Sequence, residues 1–395
     1  MSSYGCTMDQ TSVFFAPHKT LLGNGTAAQV GPEAKKMGAS KVLIVTDQGV
    51  VQANLQEEIL ASLKTQNIDS TIFDQVKPEP PAGIIDESAA RMREGGYDLV
   101  IGLGGGSSLD TAKATAALST NPGSILEYTG VDQLQKPGAP LVLIPTTAGT
   151  GSETTRVLVL TDENDKTKKV VFSDFVLPRL AVLDPLLTLS MPPKVTADTG
   201  LDALVHAVET FVSMNSTPYA QILALEAIRL IGLYLPQAYA KGSNLRARYH
   251  MLLAANLAGM AFASGGLGAV HALAYVLGTE YHLPHGRSNA IMLPHVMEYN
   301  KSGCREQFAR MAEALGEDIG GLNLSEAADV AVLAVGNLLL DLNVPFDLDS
   351  YGIPKEDLPK LVAGGMAQNR LFVPNPRDLT EEDVAFIYQN AFEDE

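Results

Sequence analysis

Asp202 and His206 stand four residues apart in KVTADTGLDALVHAVETFV, a run with helical spacing. That separation puts both side chains on one helix face, about one turn apart, where they can reach a single ion. Two more imidazoles follow, fourteen residues from each other. His271 comes after Gly265-Gly266-Leu267-Gly268 and opens the helical stretch HALAYVLG; His285 lies between Pro284 and Gly286, a sharp turn able to aim its ring inward. The chain has seven histidines, and four fall between 271 and 295 in an apolar background where an imidazole without a partner is costly. One carboxylate and three imidazoles suit a divalent transition ion such as Fe(II) or Zn(II), with an open position for substrate. Of the remaining candidates, His282 could line the pocket and His295 reads as structural. Glu209, one turn beyond His206, reads as packing or bridging rather than ligating.

A second kind of chemistry is written in glycine. Gly102-Leu103-Gly104-Gly105-Gly106-Ser107-Ser108 ends an expected strand and opens an expected helix. Glycines there let a ligand approach the backbone closely, and the N–H groups of a helix N-terminus favour a pyrophosphate. The run is not the usual dinucleotide fingerprint: Ser107 stands where the last glycine would, and the turn follows a later strand than usual. A second run of small and hydroxyl residues, Pro145 to Glu153, follows another strand and could complete the cradle. Asp47 ends the strand KVLIVTD, where a carboxylate can accept hydrogen bonds from a ribose 2′-hydroxyl and repel a 2′-phosphate, which favours NAD over NADP. A helix or turn cap is the alternative for Asp47.

Elements able to position these groups alternate through the first half. Apolar runs at 41–47, 70–74, 98–106 and 140–151 are separated by stretches of helical spacing at 51–65, 79–96 and 108–118. Such alternation predicts a parallel, doubly wound α/β sheet. After AVLDP (181–185) and Met191-Pro192-Pro193 the pattern becomes long, helical and rich in Ala and Leu. The expected organisation is therefore an α/β dinucleotide-binding domain over 1–190 and a helical metal-binding domain over 191–395, with a ligand cleft between them.

Composition narrows the field. The 395 residues carry 28 Lys+Arg against 45 Asp+Glu, a formal charge of −17, which opposes binding to nucleic acid or anionic lipid. Only Cys6 and Cys304 are present, so neither a disulfide framework nor a four-thiolate site can form. The N-terminus has no secretory pattern, and apolar stretches such as 251–277 are broken by Gly, Ser, His and Asn, so they read as core helices. The expectation is a cytoplasmic enzyme with no membrane partner.

The segments GGGSSLDTAK (104–113), PTTAGTGSE (145–153), DALVH (202–206) and HALAYVLGTEYHLPHGRSNA (271–290) together resemble the iron-containing (group III) alcohol dehydrogenases, in essentially full-length register. The resemblance implies an N-terminal NAD(P)-binding domain and an all-α C-terminal domain in a dehydroquinate synthase-like architecture. It implies metal ligands at Asp202, His206, His271 and His285. It assigns Asp47 to the adenosine ribose, Gly104, Gly105, Gly106 and Ser107 to the pyrophosphate, and Thr146, Thr147 and Lys168 along the dinucleotide. Asp110 and Lys113 are further candidates, and a homodimer built through the N-terminal strand region is implied.

One departure bears on mechanism. Many relatives carry a second histidine in HALAH, where this chain has Tyr275. Its hydroxyl, with His282, is the candidate for handling the substrate proton while hydride passes to C4 of the nicotinamide. The expected reaction interconverts a small primary alcohol and its aldehyde, with Fe(II) the first choice of ion and Zn(II) the second. Alternatives are a zinc enzyme of the glycerol dehydrogenase type and a dehydroquinate synthase-like lyase. Val157 occupies a position that is Asn in some relatives, and Arg156 and Arg287 are candidates for holding an anionic substrate.

Overall fold

The computed structural model describes residues 11–165 and 167–392, which form two compact units, Phe15–Ser190 and the helical part from Met191. In the first unit the strands are β1 (Thr20–Leu22), β2 (Lys41–Val45), β3 (Asp69–Phe73), β4 (Leu99–Gly104), β5 (Gly130–Val131), β6 (Leu141–Pro145), β7 (Val157–Asp162), β8 (Thr167–Phe172) and β9 (Leu180–Leu183). Its helices are α1 (Val30–Lys36), α2 (Gln48–Gln52), α3 (Glu57–Thr65), α4 (Ala82–Gly95) and α5 (Gly106–Leu118). Six strands make one parallel sheet in the order β1-β9-β6-β4-β2-β3.

Both faces of that sheet are covered, which is why its strands read as unbroken apolar runs rather than alternating ones. Val42, Ile44, Ile101, Leu103 and Ile144 pack toward Ala34 of α1 and Ile59 and Leu63 of α3. Their neighbours Leu43, Val45, Val100 and Leu143 pack toward Met92 of α4 and Leu109 and Ala112 of α5. Two local features depart from the sequence reading. The helical stretch expected over 51–65 is two helices, parted where Asn54 turns left-handed at φ 55°. The hairpin β7–β8, antiparallel and joined in parallel by β5, forms a second sheet in a region to which the sequence reading gave no strand.

The second unit holds α6 (Pro193–Val212), α7 (Pro218–Ala240), α8 (Leu245–Gly265), α9 (Ala269–Tyr281), α10 (His285–Asn300), α11 (Arg305–Leu315), α12 (Leu324–Asp341), α13 (Leu358–Met366) and α14 (Glu381–Gln389). Proline starts α6 and α7 at their first helical positions, where the missing N–H costs nothing, and Thr217 caps α7 by accepting from the Ala220 N–H at 3.1 Å. By length and composition α7 is apolar enough to cross a bilayer, but it packs against α6, α8 and α11 with half of its apolar window buried. The apolar stretch 251–277 is divided between two helices, α8 and α9, which meet at 109° across Gly266–Gly268.

Candidate active site

Three elements of the helical unit bring the predicted ligands together. Asp202 lies in the middle of α6, His271 in the first turn of α9 and His285 at the first position of α10. One ligand atom from each lies within 4.8 Å of the other two. His206, one turn after Asp202, places Nε2 4.0 Å from Asp202 Oδ1, and its ring is stacked on that of His271 with centroids 5.0 Å apart. The ring of Phe262 on α8 lies tilted against the His206 ring, with centroids 4.6 Å apart. Asp202 and His271 are buried, whereas the His285 side chain keeps 43% of its exposure, so the cluster opens on one side.

Asn289 reveals how these donors are aimed. Its Nδ2 lies 2.8 Å from Asp202 Oδ1, 3.2 Å from His271 Nε2 and 3.2 Å from His285 Nε2. An amide nitrogen has two hydrogens and cannot satisfy three acceptors at once. Its own Oδ1, fully buried, has no hydrogen-bond partner. Three electron-pair donors, one of them anionic, thus converge on a point occupied by a weak positive dipole, and that donor set fits a divalent cation. Burial opposes charge on Asp202, yet the imidazoles of His206, His285 and His271 and the Asn289 amide outweigh it and hold the carboxyl below its usual range.

Glycine decides how closely the helices approach. A Cβ on Gly286, next to His285, would lie 2.2 Å from the Asp198 carbonyl oxygen and 3.2 Å from Asp202 Cβ. Only glycine lets the start of α10 sit directly against α6. The following Arg287 is buried and donates to Asp198 Oδ1 through Nε at 2.6 Å, with Nη1 3.3 Å from the Tyr351 hydroxyl. The Arg287 guanidinium, by its charge a candidate for an anionic substrate, is paired with Asp198 and pins α10 to α6.

Tyr275 is half-buried, one turn beyond His271 on α9. His282 is exposed and left-handed at φ 56°, where its backbone N–H donates to the Leu277 carbonyl and ends α9. Sequence spacing gives Glu209 as a packing or bridging group rather than a ligand, and it bridges to His271 and Val270; Asn289 is the site group that the sequence analysis does not single out. The signal was available: Asn289 is four residues after His285 and Glu209 is seven after Asp202, each on the face its neighbour uses.

In the α/β unit, β2 passes to β3 on one side of the sheet while β4 passes to β6 on the other. The carboxyl ends of β2 and β4 therefore flank the topological switch point, where open α/β sheets bind ligands. Asp47 and the Gly104–Gly106 turn occupy those two ends. This explains why the glycine turn follows a later strand than the usual fingerprint: strand order makes β4 central. Asp47 caps α2 by accepting from the Val50 N–H at 3.1 Å, and its other oxygen accepts from the Ser108 hydroxyl at 3.0 Å. Side chains on the turn would collide with its walls, a Cβ at Gly104 meeting Ser108 Oγ at 2.7 Å and one at Gly106 meeting Thr150 Cγ2 at 2.9 Å. Ser107 is the second residue of α5, whose cap residue Gly105 offers no side chain, so its first-turn N–H groups are left to a ligand or solvent. Thr146 continues β6 by donating its N–H to the Gly104 carbonyl at 2.9 Å, and Thr147 follows half-buried beside Gly105.

Behind the turn, Asp110 accepts from the Ser152 hydroxyl at 2.6 Å and the Val159 N–H at 2.9 Å. Lys113, fully buried, donates to Thr155 Oγ1 at 2.9 Å and the Val157 carbonyl at 2.6 Å. Both side chains tie α5 to the 145–159 segment. Lys168 lies on β8 with its ammonium 2.7 Å from Glu79 Oε1. Arg156, the other candidate for anion binding, is ion-paired with Asp132 at 2.5 Å and Asp174 at 2.9 Å. Burial pushes the Lys113 ammonium down to about 8, while Asp110 and Glu153 partly offset it. An unfolded lysine titrates near 10.4. Between these values the unfolded chain holds the extra proton, so stability should rise with pH across that window. A K113M variant is expected to lose this rise, which thermal melts from pH 7.5 to 10.5 on both proteins would detect; parallel pH profiles would contradict it.

Family models match almost the whole chain: iron-containing alcohol dehydrogenase over residues 17–185 and the C-terminal part of the Fe-containing alcohol dehydrogenase family over 196–392. The chain is 42% identical to long-chain-alcohol dehydrogenase 1 of Geobacillus thermodenitrificans, over 95% of each protein. It is 38% identical to the NAD-dependent methanol dehydrogenase of Bacillus methanolicus, over 96% of this chain and 99% of that one. The crystal structure of a 1,3-propanediol oxidoreductase superposes with a TM-score of 0.94 at 38% identity, covering 97% of this chain and all of the other. With the switch-point turn in one unit and the converging donors in the other, the chain belongs to the iron-containing alcohol dehydrogenase family.

Proposed function

We propose that this protein is an NAD(H)-linked, divalent-metal-dependent oxidoreductase that interconverts a small uncharged primary alcohol and its aldehyde. The observation that carries the reading is the convergence of Asp202 Oδ1, His271 Nε2 and His285 Nε2 on one point beside His206. Those four side chains would hold the ion, Fe(II) foremost and Zn(II) as the alternative. A divalent ion supplies Lewis acidity toward the alcohol oxygen, and NAD supplies the hydride acceptor. Asp202 brings the negative charge that offsets the ion, and the half-exposed His285 leaves a side from which substrate can enter. Oxidation also releases a proton, for which the Tyr275 hydroxyl and the solvent-facing His282 ring form the proposed exit. The Gly104–Ser107 turn, with Thr146 and Thr147, is the proposed pyrophosphate cradle, Asp47 the proposed ribose contact, and Lys168 and Asp110 further cofactor-side candidates. The expected homodimer and cytoplasmic location belong to the same reading.

The uncharged substrate rests on the two arginines offered for anion recognition, both committed to aspartates. A panel of neutral and anionic aldehydes assayed with NADH on Fe(II)- and Zn(II)-loaded protein tests it. Turnover restricted to anionic aldehydes would overturn it. Cofactor choice has its own test, because Asp47 serves as both cap and charge. D47S keeps a cap oxygen and removes the charge, so stability should change by less than about 1 kcal/mol. Its kcat/KM with NADPH should rise relative to NADH at least tenfold; an unchanged ratio would clear Asp47 of that role.

A further inference from the structure

Helix α6 carries three buried carboxylates, and besides Asp202 and the Arg287-paired Asp198 it presents Glu209, which is not among the converging donors. Both of its oxygens are engaged. Oε1 accepts from the Val270 N–H at 2.6 Å and lies 3.4 Å from the His271 N–H, while Oε2 lies 2.6 Å from His271 Nδ1. The first of these contacts answers a local need. Helix α9 starts after Gly268, which has no side chain to cap it, and first-turn N–H groups buried without a partner are costly. Glu209 is thus a cap supplied by a neighbouring helix. Gly268 leaves room for it, since a Cβ there would come within 3.2 Å of Oε1.

The second contact has a chemical consequence. We propose that Glu209 is the positioning residue that selects the tautomer of His271, keeping hydrogen on Nδ1 and leaving the Nε2 electron pair for the cation. An ionised carboxylate only accepts hydrogen bonds, so the Nδ1 facing it must donate, and in a neutral imidazole the other nitrogen is then the acceptor. That other nitrogen is the one directed toward Asp202 and Asn289. One carboxylate fixes where α9 begins, how the ring is turned and which nitrogen can bind. The inference rests on the proposed role of His271 as a ligand.

Glutamine is the discriminating replacement. In E209Q the amide oxygen can still accept from the Val270 N–H, so the cap survives. The amide nitrogen then faces Nδ1 and donates to it, which forces hydrogen onto Nε2 and blocks ligation. Zn(II) titrations should show affinity falling about 10- to 100-fold, the usual cost of losing such a partner. The metal-free melting temperature should stay near that of the parent. Nitrogen-15 NMR of the histidines in metal-free parent protein at pH 9 should show His271 with hydrogen on Nδ1 alone, and in E209Q on Nε2. Hydrogen on Nε2 in the parent, or parental Zn(II) affinity in E209Q, would overturn the inference. Absence of Zn(II) binding by the parent protein would instead refute the metal reading, and the NMR measurement would still decide the tautomer.

Discussion

A G286A variant is expected to fold but to lose high-affinity metal binding and most of its turnover. The added methyl would sit 2.2 Å from the Asp198 carbonyl oxygen, a backbone atom that cannot rotate away. Helix α10 must therefore move off α6, carrying His285 and Asn289 with it. Overpacking of this kind costs about 1–3 kcal/mol, tolerable for a chain with a large core. Chemistry is less forgiving, because a displacement of ~1 Å at a reacting centre costs on the order of 10²-fold in rate. The distinguishing feature is the imbalance between a modest fall in melting temperature and a hundredfold fall in kcat/KM with weakened Zn(II) binding. Parental kinetics in G286A would show that the close approach of α10 to α6 is not needed.

D202N is expected to remove metal binding with still less structural disturbance. Asparagine has the same shape, and its amide oxygen can go on accepting from Asn289 Nδ2, which lies 2.8 Å from Asp202 Oδ1. What disappears is the one negative charge among the converging donors. Losing a partner one step removed from an ion typically costs 10- to 100-fold in affinity, so loss of the anionic ligand should exceed about 100-fold. Metal titration of D202N and kcat/KM with excess Zn(II) or Fe(II) would measure this. An affinity equal to that of the parent would take Asp202 out of the site.

How much of this was legible in the residues follows from the range of the interactions. The parallel sheet was readable because every central strand is covered on both faces, leaving continuous runs such as VLIV and LVIGLG. Asp202, His206, His271 and His285 could be gathered because helix periodicity relates the first pair and rare residue types mark the others. Spacing could not show that His206 keeps slightly apart from the tightest three, where its ring lies tilted against Phe262 and stacked on His271. Arg156 and Arg287 illustrate the opposite failure. A cation in sequence advertises charge but not its partner, and both partners are distant in the chain or in another element: Asp132 and Asp174 for one, Asp198 for the other. Asn289, and the partners that Glu209 bridges, escape the sequence for a related reason. Neither residue type announces a metal site, and their meaning lies in which atoms of other helices they touch.

In the proposed function, Asp202, His206, His271 and His285 share one cation. Anomalous X-ray diffraction at the zinc edge, on crystals of the Zn(II)-loaded protein, tests it most directly. A single strong peak is predicted about 2.0–2.2 Å from Asp202 Oδ1 and from a ring nitrogen of each of the three histidines. A peak bound elsewhere on the chain, or none between these side chains in protein that retains zinc, would contradict the account.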